Sequence, residues 1–407
     1  MEVLYPRCAG LDVHKETVVA CVRLATGSAV ERHVETFGTM THELLALLAW
    51  LEQHAVTHVA LEATGVYWKP VWHVLAGHVT LVLANPKEVK QVPGRKTDVN
   101  DATWLADLAA HGLIRASFVP PEPIQELRDL TRTRKQLVAE RTQHVQRLQK
   151  VLEDANVKLA SVVSDILGQS GRAMLDALAA GQSDPQQLAQ LRHGRLRASP
   201  AQLVAALEGT VREHHRFMLR LHLRQIDTLD SAITLVEERV ETLLRPFARL
   251  VERLKTIPGV SAIVVAVLLA EIGTDMRQFP TAGHLLSWAC LVPRRDETAG
   301  KRRSVRTRKR DWLKATLVQA AWAAVRQKDT YLHAQFHRLR ARRGPKKAII
   351  AVAASILTAA YHMIQHETVY ADLGSDFFSR RDHKKAAFRL VQRLQQMGYA
   401  VQLSTAA

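Results

Sequence analysis

The stretch AGLDVHKE, residues 9–16, decides how the first part of this chain folds. Ala9, Leu11 and Val13 alternate with Gly10 and Asp12, the period of a β-strand with one apolar face. Asp12 therefore stands opposite that apolar stripe. Working outward, Thr17–Leu24 reads as an adjacent strand and Glu31–Phe37 as a third. Thr41 reads as the cap of a helix whose apolar positions include Leu44, Leu45, Leu48 and Leu51. His58–Glu62, inside VALEATGVYW, is a strand, Tyr67–Leu75 a helix, and Thr80–Ala84 a strand ended by Asn85-Pro86. A basic loop, NPKEVKQVPGRKT, leads into KTDVNDA and a helix from about Val99 to His111. Early strands followed by alternating helix and strand predict an α/β layer fold over residues 1–120.

A chain of 407 residues exceeds a single core, so two or three domains are expected. Pro120, Pro121 and Pro123 mark the first boundary. Residues 121–245 read as a helical, coiled-coil arm: Val145, Leu148, Leu152, Ala155, Leu159, Val162 and Ile166 recur in steps of three and four. Arg134 and Arg141 interrupt that seam upstream, and 168–200, rich in Gly, Gln, Ser and Arg, reads as a break or variable insertion. A second arm runs from about Ala201 to Leu244 through Leu219, Leu223, Ile226, Ile233 and Val240. The two arms fit either an antiparallel hairpin or a pairing with another subunit. Residues 246–373 are expected to be all-α, and 374–407 to be a basic amphipathic tail. Ile257-Pro258-Gly259-Val260 resembles the turn of a helix-hairpin-helix, where backbone amides bind phosphate. Ser261 replaces its usual second glycine, so a plain helix–turn–helix corner fits as well.

The composition, 47% hydrophobic and 23% charged, is that of a globular protein, not a disordered one. Lys and Arg number 56 against 39 Asp and Glu, a net charge of +17 that attracts polyanions, nucleic acid first among them. Much of the excess lies in ETAGKRRSVRTRKRDW, where Lys301, Arg302, Arg303, Arg306, Arg308, Lys309 and Arg310 could grip phosphates. Arg302 and Arg303 can do so bidentately, as lysine cannot. A solvated basic face is the plainer alternative. The apolar runs Ile263–Ala270 and Ala348–Tyr361 are short for a membrane span and read as buried helices, so no membrane partner is expected. MEVLYPRC lacks a basic segment followed by an apolar one, and Cys8, Cys21 and Cys290 lack metal spacing. Reduced thiols in a cytoplasmic protein are the expectation.

Four carboxylates carry the chemistry. Asp12 and Glu62 lie on predicted strands, and Asp98 and Asp101, three apart, share one side of a helix's first turn. Glu62 follows Leu61 in a strand that should be buried, where a carboxylate is costly unless paired or metal-bound. Phosphodiester cleavage needs an activated oxygen nucleophile and stabilisation of a departing oxyanion. Two hard cations about 4 Å apart, held by carboxylate oxygen, do both. A two-metal magnesium site is therefore expected. Asp98 as a simple helix cap and Asp101 as a first-turn acid are the structural alternatives.

LDVHK, LEATGVYW and KTDVNDA resemble the RuvC-like, DEDD-type domain of transposases of insertion-sequence family one-hundred-ten. The resemblance continues in IPGV, in FPTAGHLLSWACLVPRRDETAGKRRSVRTRK and in LVQAAWAAVR, leaving only the helical middle loosely matched. It implies a RuvC-like (RNase H-like) N-terminal domain, a coiled coil and a helical transposase domain. It also implies a bacterial, nucleoid-associated enzyme that recombines donor and target DNA under a structured guide RNA from its own element. By the same resemblance, Asp12, Glu62, Asp98 and Asp101 would be the metal-binding acids, and a serine in a Glu-Ser-Gly or Glu-Ser-Ala-Gly context the covalent nucleophile. Strand exchange further implies a homo-oligomer, dimer or tetramer, whose subunits share composite sites.

This chain departs from that pattern. Thr298, in Glu297-Thr298-Ala299-Gly300, occupies the serine's position, and Arg310-Asp311 stands where a Gly-Asn pair is expected. A threonine hydroxyl can attack phosphorus, but its β-methyl adds crowding. Three readings stay open: Thr298 is the nucleophile, Ser304 substitutes for it, or strand exchange is impaired. A water-using junction nuclease and a nucleic-acid-binding remnant are the competing functions. Trp68, Trp288 and Trp312 are candidates for base stacking against the commoner buried role. His14 is either near the metals or a hydrogen-bonded surface group. His214 and His215 are assigned nothing.

Overall fold

The computed structural model describes residues 2–402 apart from Ser28, Thr64, 90–100, Arg195, 293–294, 299–300, 305–311 and Asp382. It divides into two compact units, Met1–Pro120 and Pro121–Ala407.

In the first unit β1 (Arg7–Val13), β2 (Thr17–Thr26), β3 (Ala29–Gly38), β4 (His58–Glu62) and β5 (Thr80–Ala84) form one sheet in the order β3-β2-β1-β4-β5. β1, β2 and β3 are antiparallel, whereas β4 pairs parallel with both β1 and β5. Parallel pairing needs crossovers, supplied by α1 (Thr41–Gln53) before β4 and α2 (Trp68–Leu75) before β5. Leu11, Val13, Leu61 and Val59 bury one sheet face against Leu47, Leu51 and Leu75 of these helices. The expected Thr41 cap is not formed: Met40 is the N-cap, without a side-chain hydrogen bond, and Thr41 already lies in the helix. On the edge, β3 is mostly exposed, and its Glu31, Arg32 and Glu35 discourage pairing with another chain.

The opposite face is covered by α3 (Asp101–Ala110), in which Ala102, Leu105, Ala106 and Ala109 turn inward. Gly10 lets this helix come to backbone contact. A Cβ there would lie 2.1 Å from the Ala102 carbonyl oxygen and 2.4 Å from the Ala106 nitrogen. The Cys8 thiol, pushed up to about 11 by burial, stays protonated and donates to the Ala106 carbonyl at 3.4 Å. Arg23 of β2 and Arg32 of β3 both donate to Asp107 Oδ1, at 2.9 and 2.8 Å, and fix the far half of the helix.

In the second unit α4 (Glu122–Asp154) and α5 (Glu213–Leu244) lie antiparallel. Arg134 pairs with Glu237, Arg141 with Asp230, and His215 with Asp154 at the far end. Of the two arrangements open from sequence, the hairpin within one chain is the one formed. The interrupting arginines bind acids on the facing helix. Residues 168–200, read as a break or variable insertion, include helices: Gln169–Ala180 and Pro185–Gln190, followed by Pro200–Leu207. Met174, Leu175, Leu178, Leu188 and Leu203 join Leu148, Leu152 and Ile226 in a core at the tip of the hairpin.

The base of the unit is built from α6 (Ala248–Lys255), α7 (Ala262–Ile272), α8 (Ala282–Trp288), α9 (Trp312–Ala324), α10 (Tyr331–Arg343) and α11 (Pro345–His366). α11 is long and apolar enough to cross a membrane by composition, yet over half of that stretch is buried. Val352, Ala353, Ile356 and Leu357 place it in a core with α7 and α9. α12 (His383–Gln396) follows with Phe388 and Leu390 exposed. The expectation of an all-α region is corrected between α8 and α9. There β6 (Arg295–Thr298) and β7 (Lys301–Ser304) pair antiparallel.

Candidate active site

Strand alternation and register bring three of the expected acids to one end of one sheet face. β1 and β4 run parallel in register up to Leu11 and Leu61, so Asp12 and Glu62 follow as neighbours at their carboxyl ends. Leu11 and Leu61 point into the α1–α2 core, which turns Asp12 and Glu62 toward the face covered by α3. Asp101 opens α3 one residue before Ala102, whose carbonyl abuts Gly10. The carboxyl ends of parallel strands are where sheets of this kind bind ligands.

Asp12 keeps 21% of its side chain exposed, and Glu62 and Asp101 are half-buried. His14 Nε2 lies 3.2 Å from Asp12 Oδ2, with the histidine itself 58% exposed, so His14 is a surface group partnered to the acid. Among the described residues no three His, Cys, Asp or Glu side chains gather into a closed metal shell. Asp98 lies outside the described residues, so the structure places three of the four acids.

The hydroxyl region is a two-stranded ribbon. Thr298 pairs with Lys301 beside the connection, Glu297 with Arg302, Asp296 with Arg303, and Arg295 with Ser304 at the open end. Thr298 and Ser304 thus stand at opposite ends, three strand steps or about 10 Å apart along the ribbon. Arg306, Arg308, Lys309 and Arg310 lie outside the described residues.

The family model of the IS110 DEDD transposase, described as a transposase, matches residues 9–157. A second, described as the transposase IS116/IS110/IS902 family, matches residues 251–338. The chain belongs to the IS110 family of transposases. It is a DNA transposase, an enzyme of insertion-sequence recombination. No curated protein matches it.

The base of the transposase's ribbon is tied by contacts that no local pattern marks. Lys314 Nζ, on the first turn of α9, donates to the Cys290 carbonyl at 2.9 Å, joining the chain before the ribbon to the chain after it. Cys290 itself has positive φ, 55°, at the end of the α8 turn. Trp312, the first residue of α9, lies under two cations of α4: Lys135 Nζ is 4.9 Å and the Arg132 guanidinium 5.8 Å from its ring. Arg132 also binds the buried Glu271 of α7 bidentately, both contacts at 2.9 Å. Arg128 caps the α7 carbonyls of Ala270 and Glu271.

Gly259 sits in the turn between α6 and α7 with φ 79°. A Cβ there would lie 2.3 Å from the Ala320 carbonyl oxygen of α9, so close packing alone requires the glycine. Of the tryptophans, Trp68 packs edge-on against Trp72, and Trp288, itself 39% exposed, packs edge-on against the buried Phe279. The sequence did offer one unused signal: an isolated glycine inside a strand, such as Gly10, marks a close backbone approach.

Proposed function

We propose that this transposase cuts and rejoins donor and target DNA under a structured guide RNA from its own element, using two magnesium ions and the Thr298 hydroxyl. The observation that carries the reading is the convergence of Asp12 and Glu62 at paired strand ends with Asp101 leading the helix across them. Every donor there is a hard carboxylate oxygen, at least partly open to solvent, which suits magnesium better than zinc. Asp98, three residues before Asp101, completes the set in this reading. Bound there, the two cations would polarise the scissile phosphate and neutralise the charge that develops on it. The topology, with three antiparallel strands followed by two parallel ones, supports a RuvC-like unit.

The protein's own groups then act as follows. Thr298 Oγ attacks phosphorus, its proton is lost to a base, and the bond from phosphorus to the departing strand's oxygen breaks as that oxygen gains a proton. The incoming strand's hydroxyl reverses these steps, breaking the phosphothreonine bond and restoring Thr298. Lys301, Arg302 and Arg303, continued by Arg306, Arg308, Lys309 and Arg310, hold the phosphate that reacts, and Gly259 offers a backbone amide to a neighbouring one. Strand exchange needs at least two copies, with the acids of one subunit completing the hydroxyl site of another. The setting is the bacterial cytoplasm, at the nucleoid.

The test is a reaction of purified protein, its flanking transcript, donor DNA, target DNA and magnesium, with the covalent adduct mapped by mass spectrometry. An adduct on Thr298 that disappears in Thr298→Ala is the expected result. An adduct on Ser304 overturns the assignment. The β-methyl of Thr298 favours a second reading, an impaired copy. In that case no recombinant forms until Thr298→Ser restores it. Cleavage that survives loss of both hydroxyls identifies a water-using junction nuclease instead.

A further inference from the structure

The α10–α11 corner is strongly basic and belongs to neither the acid site nor the ribbon. Between Trp312 and His366 the chain carries nine Lys or Arg and a single acid, Asp329. Arg340, Arg342, Arg343, Lys346 and Lys347 are all exposed within eight residues. None of the five is held in an ion pair among the described residues. A structural cluster of this kind would be interleaved with acids, as α4 and α5 are. Gly344, with φ 78°, breaks α10, and Pro345 starts α11 at once, so the cations project from a fixed corner between two helices.

An aromatic surface adjoins this corner. Trp322 of α9 is 42% exposed and meets Phe336 edge-on, with centroids 5.6 Å apart. Phe336 in turn meets His337 at 5.4 Å. His337 is exposed one helical turn before Arg340, and the Arg340 charge adds to burial in lowering its pKa. Trp322 thus neighbours α10 through the buried Phe336, beside which His337 and, one turn on, Arg340 are exposed toward the corner. Exposed tryptophan beside unpaired cations is the composition that binds unpaired nucleotides: the ring stacks on a base while the cations follow the backbone. Duplex DNA offers the cations its phosphates but no free base face.

We propose that Trp322, His337 and the α10–α11 cations form a second nucleic-acid surface, separate from the β6–β7 ribbon, that takes an unpaired strand. This rests on the reading of the protein as a nucleic-acid enzyme and names a place on it. The strand is RNA or displaced DNA, since both present the same stacked base and phosphate backbone.

The test measures binding of the full chain to labelled single-stranded RNA, single-stranded DNA of the same sequence, and the matching duplex, each across a salt series. Two variants are compared with the wild type: Arg340→Ala/Arg342→Ala/Arg343→Ala, whose substituted side chains are all exposed, and Trp322→Leu. Removing three phosphate contacts should lower the slope of log affinity against log salt by about 2 for a single strand. Trp322→Leu should weaken single-strand binding about 10-fold, leaving the salt slope and the duplex affinity unchanged. Circular dichroism of both variants establishes that they fold; should Trp322→Leu unfold, the arginine variant still carries the test. Preference for one single strand identifies the natural ligand, and equal binding supports recognition through shared chemistry. If wild type binds and the arginine variant keeps its affinity and slope, this surface is not a binding site. If wild type binds no nucleic acid at all, the functional reading fails first.

Discussion

The acids and the hydroxyl of this transposase are held by different kinds of structure. Asp12 and Glu62 are set by a five-stranded sheet whose register leaves them adjacent, and Asp101 by a helix in backbone contact with Gly10. Thr298 lies on a ribbon of two four-residue strands, an arrangement with marginal stability of its own. Its support comes from the base, through Lys314 on Cys290 and Trp312 under Lys135 and Arg132. The difference is between a site fixed by a core and a group delivered on a stem. On the function proposed above, the acids would need fixed oxygens for multivalent cations, whereas Thr298, bonding to DNA and releasing it, would have to meet the phosphate in more than one state. Substitutions should therefore separate the two regions cleanly.

The largest separation is expected from Asp12→Asn. Removing one acid should slow strand cleavage by about three orders of magnitude while leaving DNA affinity unchanged. A gel assay of cleavage beside a filter-binding titration checks both. If cleavage persists at near wild-type rate, the sheet end is not the metal site. Next in size is Gly10→Ala. The new Cβ meets backbone atoms of α3, not yielding side chains, so overpacking of about 1–3 kcal/mol should appear as a lower urea midpoint. Because α3 begins at Asp101, magnesium dependence should also shift to higher concentration. An unaltered midpoint would contradict the close approach.

A smaller effect tests the stem. Lys314→Met removes one hydrogen bond to a backbone carbonyl, worth about 1 kcal/mol, and keeps much of the side chain's apolar stem. Cleavage-coupled adduct formation should slow about 5-fold with unchanged DNA affinity, while acid-dependent magnesium binding stays as in wild type. Equal loss of affinity and rate would make Lys314 a DNA contact instead.

The same contrast explains what could be read from sequence. β1, β4 and β5 were legible because a short apolar stripe, bounded by turns, has few other ways to bury itself. The acids stood out against that stripe. Backbone proximity was not legible: nothing in the periodicity says that α3 touches Gly10, or that Arg23 and Arg32 share Asp107. The ribbon escaped notice because Arg295–Thr298 and Lys301–Ser304 are charged, without the β-branched or aromatic alternation that marks strands. Residues 168–200 show the converse. Their polar composition hid Met174, Leu175 and Leu178, which hold helical spacing and bury at the hairpin tip. Lys314 and Trp312 depend on partners 24 residues away or on another helix, a kind of contact no local pattern carries.

The α4–α5 hairpin supplies the smallest and most specific expectation, because α4 carries Arg132 and Lys135 near the ribbon and His144 farther along. His144 and His222 face each other with Nδ1 atoms 3.3 Å apart, and only 6% of His222 is exposed. Burial, with His144 and Arg147 adding to it, lowers the His222 pKa below its ordinary 6.5. Above pH 6.5 the imidazole is neutral in folded and unfolded chains alike, and its contribution to stability is constant. As pH falls below 6.5 the unfolded chain takes up a proton that the folded hairpin resists, so stability is lost until the lowered folded value is passed. Urea midpoints should therefore decline from pH 7.5 to 5.5, and His222→Gln should flatten part of that decline. Burial also lowers the pKa of His58 in β4 and, with His333 and Arg340, that of His337 in α10, so the hairpin's share of the loss is the part that His222→Gln removes. Hydrogen exchange at the two pH values checks this: faster exchange at low pH in the middle of α4 and α5 that His222→Gln reduces supports the assignment, and a decline unchanged in His222→Gln rules it out.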